Sequence, residues 1–299
     1  MLEELENAGE IKKATERLLG AAAARGRLPT PVDDLVRAAG LTEPAESILS
    51  ESVLRRAPQH IRDAVVPFKF KVKALLDRKA REIHVAEGVE HRGQRDFKRL
   101  HEVGHDILPS QRKLAYADDN RTLSWTVNMR FEQAANQAAA ELLFQGELFR
   151  RIAADYQIGL ASVVDLSELF GASIHATFRR YVETHRSAMA GIVLDSSPVR
   201  RIPLTYHRRE AVHSPAWSNR FAAPRSWPSH LHGSDYAFLA AADQTPTCAT
   251  SSRLEIALPS LDGDRPKLLV ESFSNSYRLF VLLWQPRREV LKRRRTLVA

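Results

Sequence analysis

Cysteine is nearly missing from this chain of 299 residues: Cys248 stands alone, so an intrachain disulfide framework is excluded. Apolar runs long enough to span a bilayer are also missing. The opening stretch MLEELENAGEIKK carries acidic residues and no apolar core, which argues against a secretory signal. Together these absences lead us to expect a soluble protein of the reducing cytoplasm, with no membrane partner. A hydrophobic content of 44% and a charged content of 27% are those of an ordinary globular protein with room for two or three packed units. Lysine and arginine number 44 against 36 acids, a net charge of +8. The excess is spread along the chain apart from RREVLKRRR, Arg287 to Arg295, which reads most simply as a solvated end.

What is present is concentrated between Arg99 and Gln145. His101, Glu102 and His105 have the spacing H-E-x-x-H. A helix over Gln94 to Asp106 puts both imidazoles on one face, one turn apart, within reach of one metal ion. Glu102 then lies about 100° further round, where a general base for a water on that metal belongs. Catalytic zinc takes three protein ligands and keeps a fourth position open. The longer pattern with a third histidine fails, because Leu108 and Gln111 hold the places of its glycine and histidine. Glu132 is the better third ligand. It opens a helical segment, Phe131 to Phe144, in which Glu132, Asn136, Ala139 and Leu143 share a face. The alanines at 134, 135, 138, 139 and 140 allow close packing against the histidine helix, and Asn136 is placed to orient a ligand. Read blandly, H-E-x-x-H is also what a salt-bridging helix surface can show, and the Glu132 segment is what weighs against that reading.

The run RLHEVGHDIL followed by FEQAANQAAAELLF resembles the ImmA/IrrE family of bacterial metallopeptidases, with its H-E-x-x-H and a downstream E-x-x-A-N-x-x-A-x-x-L-L. The second motif falls on Glu132, Ala135, Asn136, Leu142 and Leu143, and the resemblance spans roughly residues 28 to 185. The aromatic usual after Asn-x is replaced by Gln137 and Ala138, and a proline often found after Leu-Leu is absent at Phe144 and Gln145; neither position is a ligand. The resemblance implies a zinc endopeptidase, with manganese the alternative metal. His101, His105 and Glu132 would be the ligands and Glu102 the base. It also implies a protein substrate, a helix-turn-helix repressor whose cleavage releases stress or mobile-element genes. The rival expectation is a DNA-binding regulator with a structural or vestigial metal site.

Around this core the chain reads as α+β. Leu2 to Ala24 is expected as a helix, with Gly26 past its end; a short helix follows with Thr30 as N-cap, Pro31 at its first position and Gly40 closing it. From Phe68 to Ala86 the alternation turns to strands about a charged turn, Asp77 to Lys79, and an edge there suits strand addition by a substrate. His84 and His91 read as surface or structural histidines. In the loop Pro109 to Ser124, Tyr116 and Arg121 are conceivable oxyanion donors. Leu166 to Thr184 has the shape of a helix, a turn at Gly171 and a second helix capped by Ser173. Its Arg179 and Arg180, with Arg186 beyond, could meet phosphates or an acidic partner, so DNA contact through basic helices is the secondary partner expectation. Prolines then recur from Pro198, and strand patterns appear in SRLEIALPSL and in a hairpin turning near Ser274 to Ser276. The expected division is therefore a mainly helical zincin-like domain with a small sheet at 1–150, a helix-turn-helix-like segment at 151–194 and a strand-rich domain at 195–299, compatible with the GAF-type sensor of larger family members.

Overall fold

The computed structural model describes residues 2–56, 59, 74–86, 91–111, 125–195, 205–221, 227–244 and 248–286. The alternating segment Phe68 to Lys73, the loop residues Tyr116 and Arg121, and the basic tail from Arg287 lie outside them. The chain is α+β and divides into two compact units, one of residues 1–155 with 164–177, the other of residues 156–163 with 178–299.

The first unit opens with helix α1, Leu2–Ala21, which stops three residues short of Ala24. Ala23 and Gly26 both take positive φ, of 48° and 75°, and turn the chain away from the helix axis. Helix α2 covers Val32–Ala38, with Gly40 at φ 70° ending it. Its N-cap is Pro31, not Thr30. The Thr30 hydroxyl is engaged elsewhere, donating to the Leu143 carbonyl at 2.7 Å and accepting from Gln145 Nε2 at 3.1 Å. A short helix α3, Glu51–Arg56, leads towards the hairpin of β1, Ala74–Asp77, and β2, Glu82–Val85. Asp77 Oδ1 closes its turn by accepting from the backbone N–H groups of Lys79 and Ala80, both at 2.9 Å.

Helix α4, Arg92–Ile107, carries the H-E-x-x-H residues, and α5, Trp125–Phe144, carries Glu132. The two helices approach closely because Gly104 meets the alanine face: a Cβ at 104 would lie 2.9 Å from the Ala135 carbonyl oxygen and 3.3 Å from Ala138 Cβ. Leu100, Val103 and Leu108 are buried on the packed side, each such side chain contributing about 1.5–3 kcal/mol of apolar burial. On the same helix Arg99 pairs with Asp33 at 2.6 Å and with Asp96 at 3.2 Å, tying α4 to α2. At its C-terminal end the buried Asp106 takes two bonds from Arg81, whose guanidinium also reaches the carbonyls of Ala39 and Gly40. Helix α6, Glu147–Ala154, follows, and Phe144, Phe149 and Phe170 form an aromatic cluster with ring centroids 5.0–5.8 Å apart.

The expected helical pair is α7, Leu160–Phe170, and α8, Ile174–Thr184. Gly171 sits in the turn at φ 66°, and Ser173 Oγ accepts from the Ala176 N–H. That turn is packed in the first unit rather than presented outward: the Cβ position of Gly93, at the start of α4, is 2.8 Å from the Ser173 nitrogen.

The second unit is built on a six-stranded antiparallel sheet in the order β5-β4-β3-β8-β7-β6, from β3 (Met189–Asp195), β4 (Thr205–His213), β5 (His230–His232), β6 (Leu254–Ala257), β7 (Lys267–Ser274) and β8 (Arg278–Trp284). In the inner strands the period of two separates two buried faces. Ala190, Ile192, Leu194, Leu279, Val281 and Leu283 face a core completed by α9, Pro215–Ser218, and α10, Ala237–Gln244. On the other face Gly191 leaves room for Phe178 and Val182 of α8. The change of texture near Asp195 thus falls inside this unit, because β3 before it pairs with β4 and β8 after it.

Candidate metal centre

Helix α4 sets His101 and His105 one turn apart, and their rings meet edge to face with centroids 4.6 Å apart. The two Nε2 atoms face each other at 3.0 Å. Glu132, projected from α5, brings one carboxylate oxygen to 3.2 Å from His101 Nε2 and the other to 3.4 Å from His105 Nε2. One ligand atom from each of the three residues falls within 4.8 Å of the others, the only such trio of histidine, cysteine or acidic residues among those described. Two imidazole nitrogens and one carboxylate are the donor set of an open catalytic zinc site, and here they lie close enough together to share one ion. The residues present therefore fit a zinc ion.

The outer nitrogen of each ring has its own partner. Asn136 Oδ1 lies 3.0 Å from His101 Nδ1, one turn along α5 from Glu132, the place expected for an orienting residue. Gln111 Oε1 lies 2.6 Å from His105 Nδ1. The sequence reading passed over Gln111 except as the residue that breaks the longer histidine pattern, since a lone polar residue beyond a helix end carries no periodic signal. It equally missed Leu76, whose backbone N–H bonds the Glu102 carboxylate from strand β1.

Glu102 is 7% exposed, yet it lines a cleft of about 570 Å³ with the three candidate ligands, Leu75, Arg78, Phe97 and Lys98. Burial raises its pKa above the ordinary carboxylate value, against the pull of the neighbouring imidazoles. Glu132 behaves oppositely: hydrogen bonds from His101 and then His105 hold its carboxyl far below the usual range. For His105, burial pushes the pKa down, but Glu132 and Gln111 outweigh it and the net shift is upward. The two carboxyls are thus shifted in opposite senses, Glu132 downward by its histidine hydrogen bonds and Glu102 upward by burial.

Residues 60–181 match the peptidase M78 family, the IrrE N-terminal-like domain. The chain carries an ImmA/IrrE-type domain. The H-E-x-x-H helix and Glu132 both lie inside this IrrE-like segment, while the six-stranded sheet lies beyond it. No curated protein matches the chain. Among solved structures, a Mycobacterium tuberculosis transcriptional regulator aligns with a TM-score of 0.52 at 12% identity, over 91% of this chain and 86% of that one. At that identity the likeness speaks for a shared fold.

The other histidines flagged in the sequence stand apart from the centre. His84 is buried, with Nδ1 accepting from the Ile48 N–H at 3.3 Å, and His91 occupies the N-cap position of α4. Of the basic residues on α8, Arg179 is held by Glu183 and Glu210, both at 2.9 Å. No helix among the described residues is long and apolar enough to cross a membrane.

Proposed function

We propose that the protein is a zinc-dependent endopeptidase of the cytoplasm that cleaves a regulatory protein, a helix-turn-helix repressor, and so releases the genes the repressor silences. The observation that carries this reading is the convergence of His101, His105 and Glu132 beside a buried carboxylate, Glu102, in an open cleft. His101, His105 and Glu132 would hold a zinc ion, which would supply a water of lowered pKa and a Lewis acid for the scissile carbonyl. Glu102 would accept the proton of the attacking water as the water oxygen bonds to the carbonyl carbon. The same carboxyl then delivers that proton to the amide nitrogen as the C–N bond breaks, so the leaving amine departs neutral and Glu102 returns to its carboxylate. The raised pKa of Glu102 brings it towards the range in which both transfers run. Asn136 holds the His101 ring in place.

The membership of residues 60–181 in a peptidase family supports a protein substrate, and the resemblance to ImmA/IrrE proteins supports a repressor as that substrate. The rival reading, a DNA-binding regulator with a vestigial metal site, has the helical pair at 160–184 in its favour, but the packed Gly171–Ser173 turn and the acid-paired Arg179 count against it. The test is cleavage of a helix-turn-helix repressor encoded beside the gene, with wild type and Glu102→Gln compared. The reading expects loss of cleavage by about 10² to 10⁴-fold in the variant with the metal retained. Equal cleavage by a folded, metal-loaded Glu102→Gln protein refutes it.

A further inference from the structure

Gln111 is buried, 2% exposed, and uses both ends of its amide. Its Nε2 donates to the Phe131 carbonyl at 3.1 Å, and its Oε1 lies 2.6 Å from His105 Nδ1. The carbonyl of Phe131 can only accept, so it fixes which way the amide faces: nitrogen to Phe131, oxygen to His105. An amide oxygen can only accept in turn, so His105 must carry a hydrogen on Nδ1, and once the ring is neutral its lone pair lies on Nε2, facing inward. Phe131 is the residue before Glu132. One side chain therefore fixes the ring of one ligand while gripping the backbone beside another.

We propose that Gln111 is a positioning residue of the metal centre: it selects the Nδ1–H tautomer of His105 and couples that ring to the helix that carries Glu132. With Asn136 on His101, both histidines are then oriented by neutral amides rather than by carboxylates, so Glu132 and Glu102 are the only anions this set brings to the metal. This rests on the metallopeptidase reading for its purpose and on the two hydrogen bonds for its substance.

Three full-length proteins decide it: wild type, Gln111→Leu, which removes both bonds, and Gln111→Glu, which keeps an acceptor for His105 but loses the donor to Phe131. Zinc affinity is measured against a chromophoric chelator, and the His105 tautomer by long-range proton–nitrogen NMR of the zinc-loaded protein. Gln111→Leu is expected to bind zinc about 10 to 100-fold more weakly, with mixed tautomers, and Gln111→Glu to keep the single Nδ1–H tautomer with an affinity between those of wild type and Gln111→Leu. Wild-type affinity and a single Nδ1–H tautomer in Gln111→Leu overturn the inference, as does an equal loss in both variants, which assigns the effect to the Phe131 bond alone. If Gln111→Leu does not fold, the tautomer and affinity of Gln111→Glu still decide. If the wild type takes up no zinc, the proposed function fails instead, and the tautomer of the metal-free wild type, read at a pH high enough that the ring no longer titrates, tests Gln111 separately.

Discussion

Gly104→Ala tests how the metal centre depends on the contact between its two helices. The added methyl carbon would sit 2.9 Å from the Ala135 carbonyl oxygen, 3.2 Å from Ala135 Cα and 3.3 Å from Ala138 Cβ. Two of these atoms are backbone and none belongs to a flexible side chain, so no rotamer change relieves the contact. The helix α5 must back away by about half an ångström to restore ordinary packing. Overpacking of this kind costs about 1–3 kcal/mol. Replacing a mid-helix glycine by alanine returns about 1 kcal/mol, so the net loss of fold stability is modest, about 0–2 kcal/mol. The metal centre has less tolerance. Glu132 rides on α5 three residues before Ala135, and ligand distances are held to about 0.2 Å. A half-ångström retreat therefore weakens zinc binding by about tenfold or more, a loss at the site that is separate from the change in fold stability. Chelator competition gives the affinity, and thermal melting of the metal-free protein gives the stability. Unchanged zinc affinity in a folded Gly104→Ala protein would refute the argument that this contact sets the ligand geometry.

Three further outcomes are expected. Asp106→Ala removes the carboxylate from Arg81, whose side chain is 36% exposed while that of Asp106 is 5% exposed. Breaking a fully buried pair costs about 3–5 kcal/mol; partial exposure of the arginine lowers this to about 2 kcal/mol, a fall of about 4–8 °C in melting temperature. A change below about 1 °C would show that the remaining bonds to the Ala39 and Gly40 carbonyls suffice. Zinc binding should weaken as pH falls, because the metal must displace a proton from His105, whose pKa is raised. The slope is about tenfold per pH unit for each proton displaced, and an affinity flat between about pH 8 and about pH 6 would contradict it. The metal-free protein should respond with the opposite sign: the raised His105 stabilises the fold below the ordinary histidine value and loses that contribution as pH rises through the raised one. The lowered Glu132 keeps its share above the ordinary carboxylate value and loses it as pH falls. A melting series of metal-free protein across pH reads both.

The centre was legible in the sequence wherever local periodicity decides. A spacing of four residues places His101 and His105 on one helix face, and the same rule puts Asn136 one turn from Glu132. The turn at Gly171 and the Ser173 cap followed from residue types alone. What stayed hidden depends on partners distant in the chain. Thr30 has the chemistry of an N-cap, but a carbonyl 113 positions away holds its hydroxyl. Arg179 has the charge of a phosphate contact, but Glu210, 31 positions on, holds it. Gln111 gains its role from Phe131, across a segment whose length says nothing about where its ends meet. Strand order in the sheet is similarly a matter of long-range pairing: β3 lies between β4 and β8, and no residue pattern distinguishes that order from others.

The measurement that bears most directly on the central claim is metal content of the purified, zinc-loaded protein, wild type beside His101→Ala, Glu132→Ala and Glu102→Gln. The account predicts about one zinc per chain in the wild type, loss of it in the two ligand variants, and its retention in Glu102→Gln. No stoichiometric metal in the wild type, or full retention in Glu132→Ala, would contradict it.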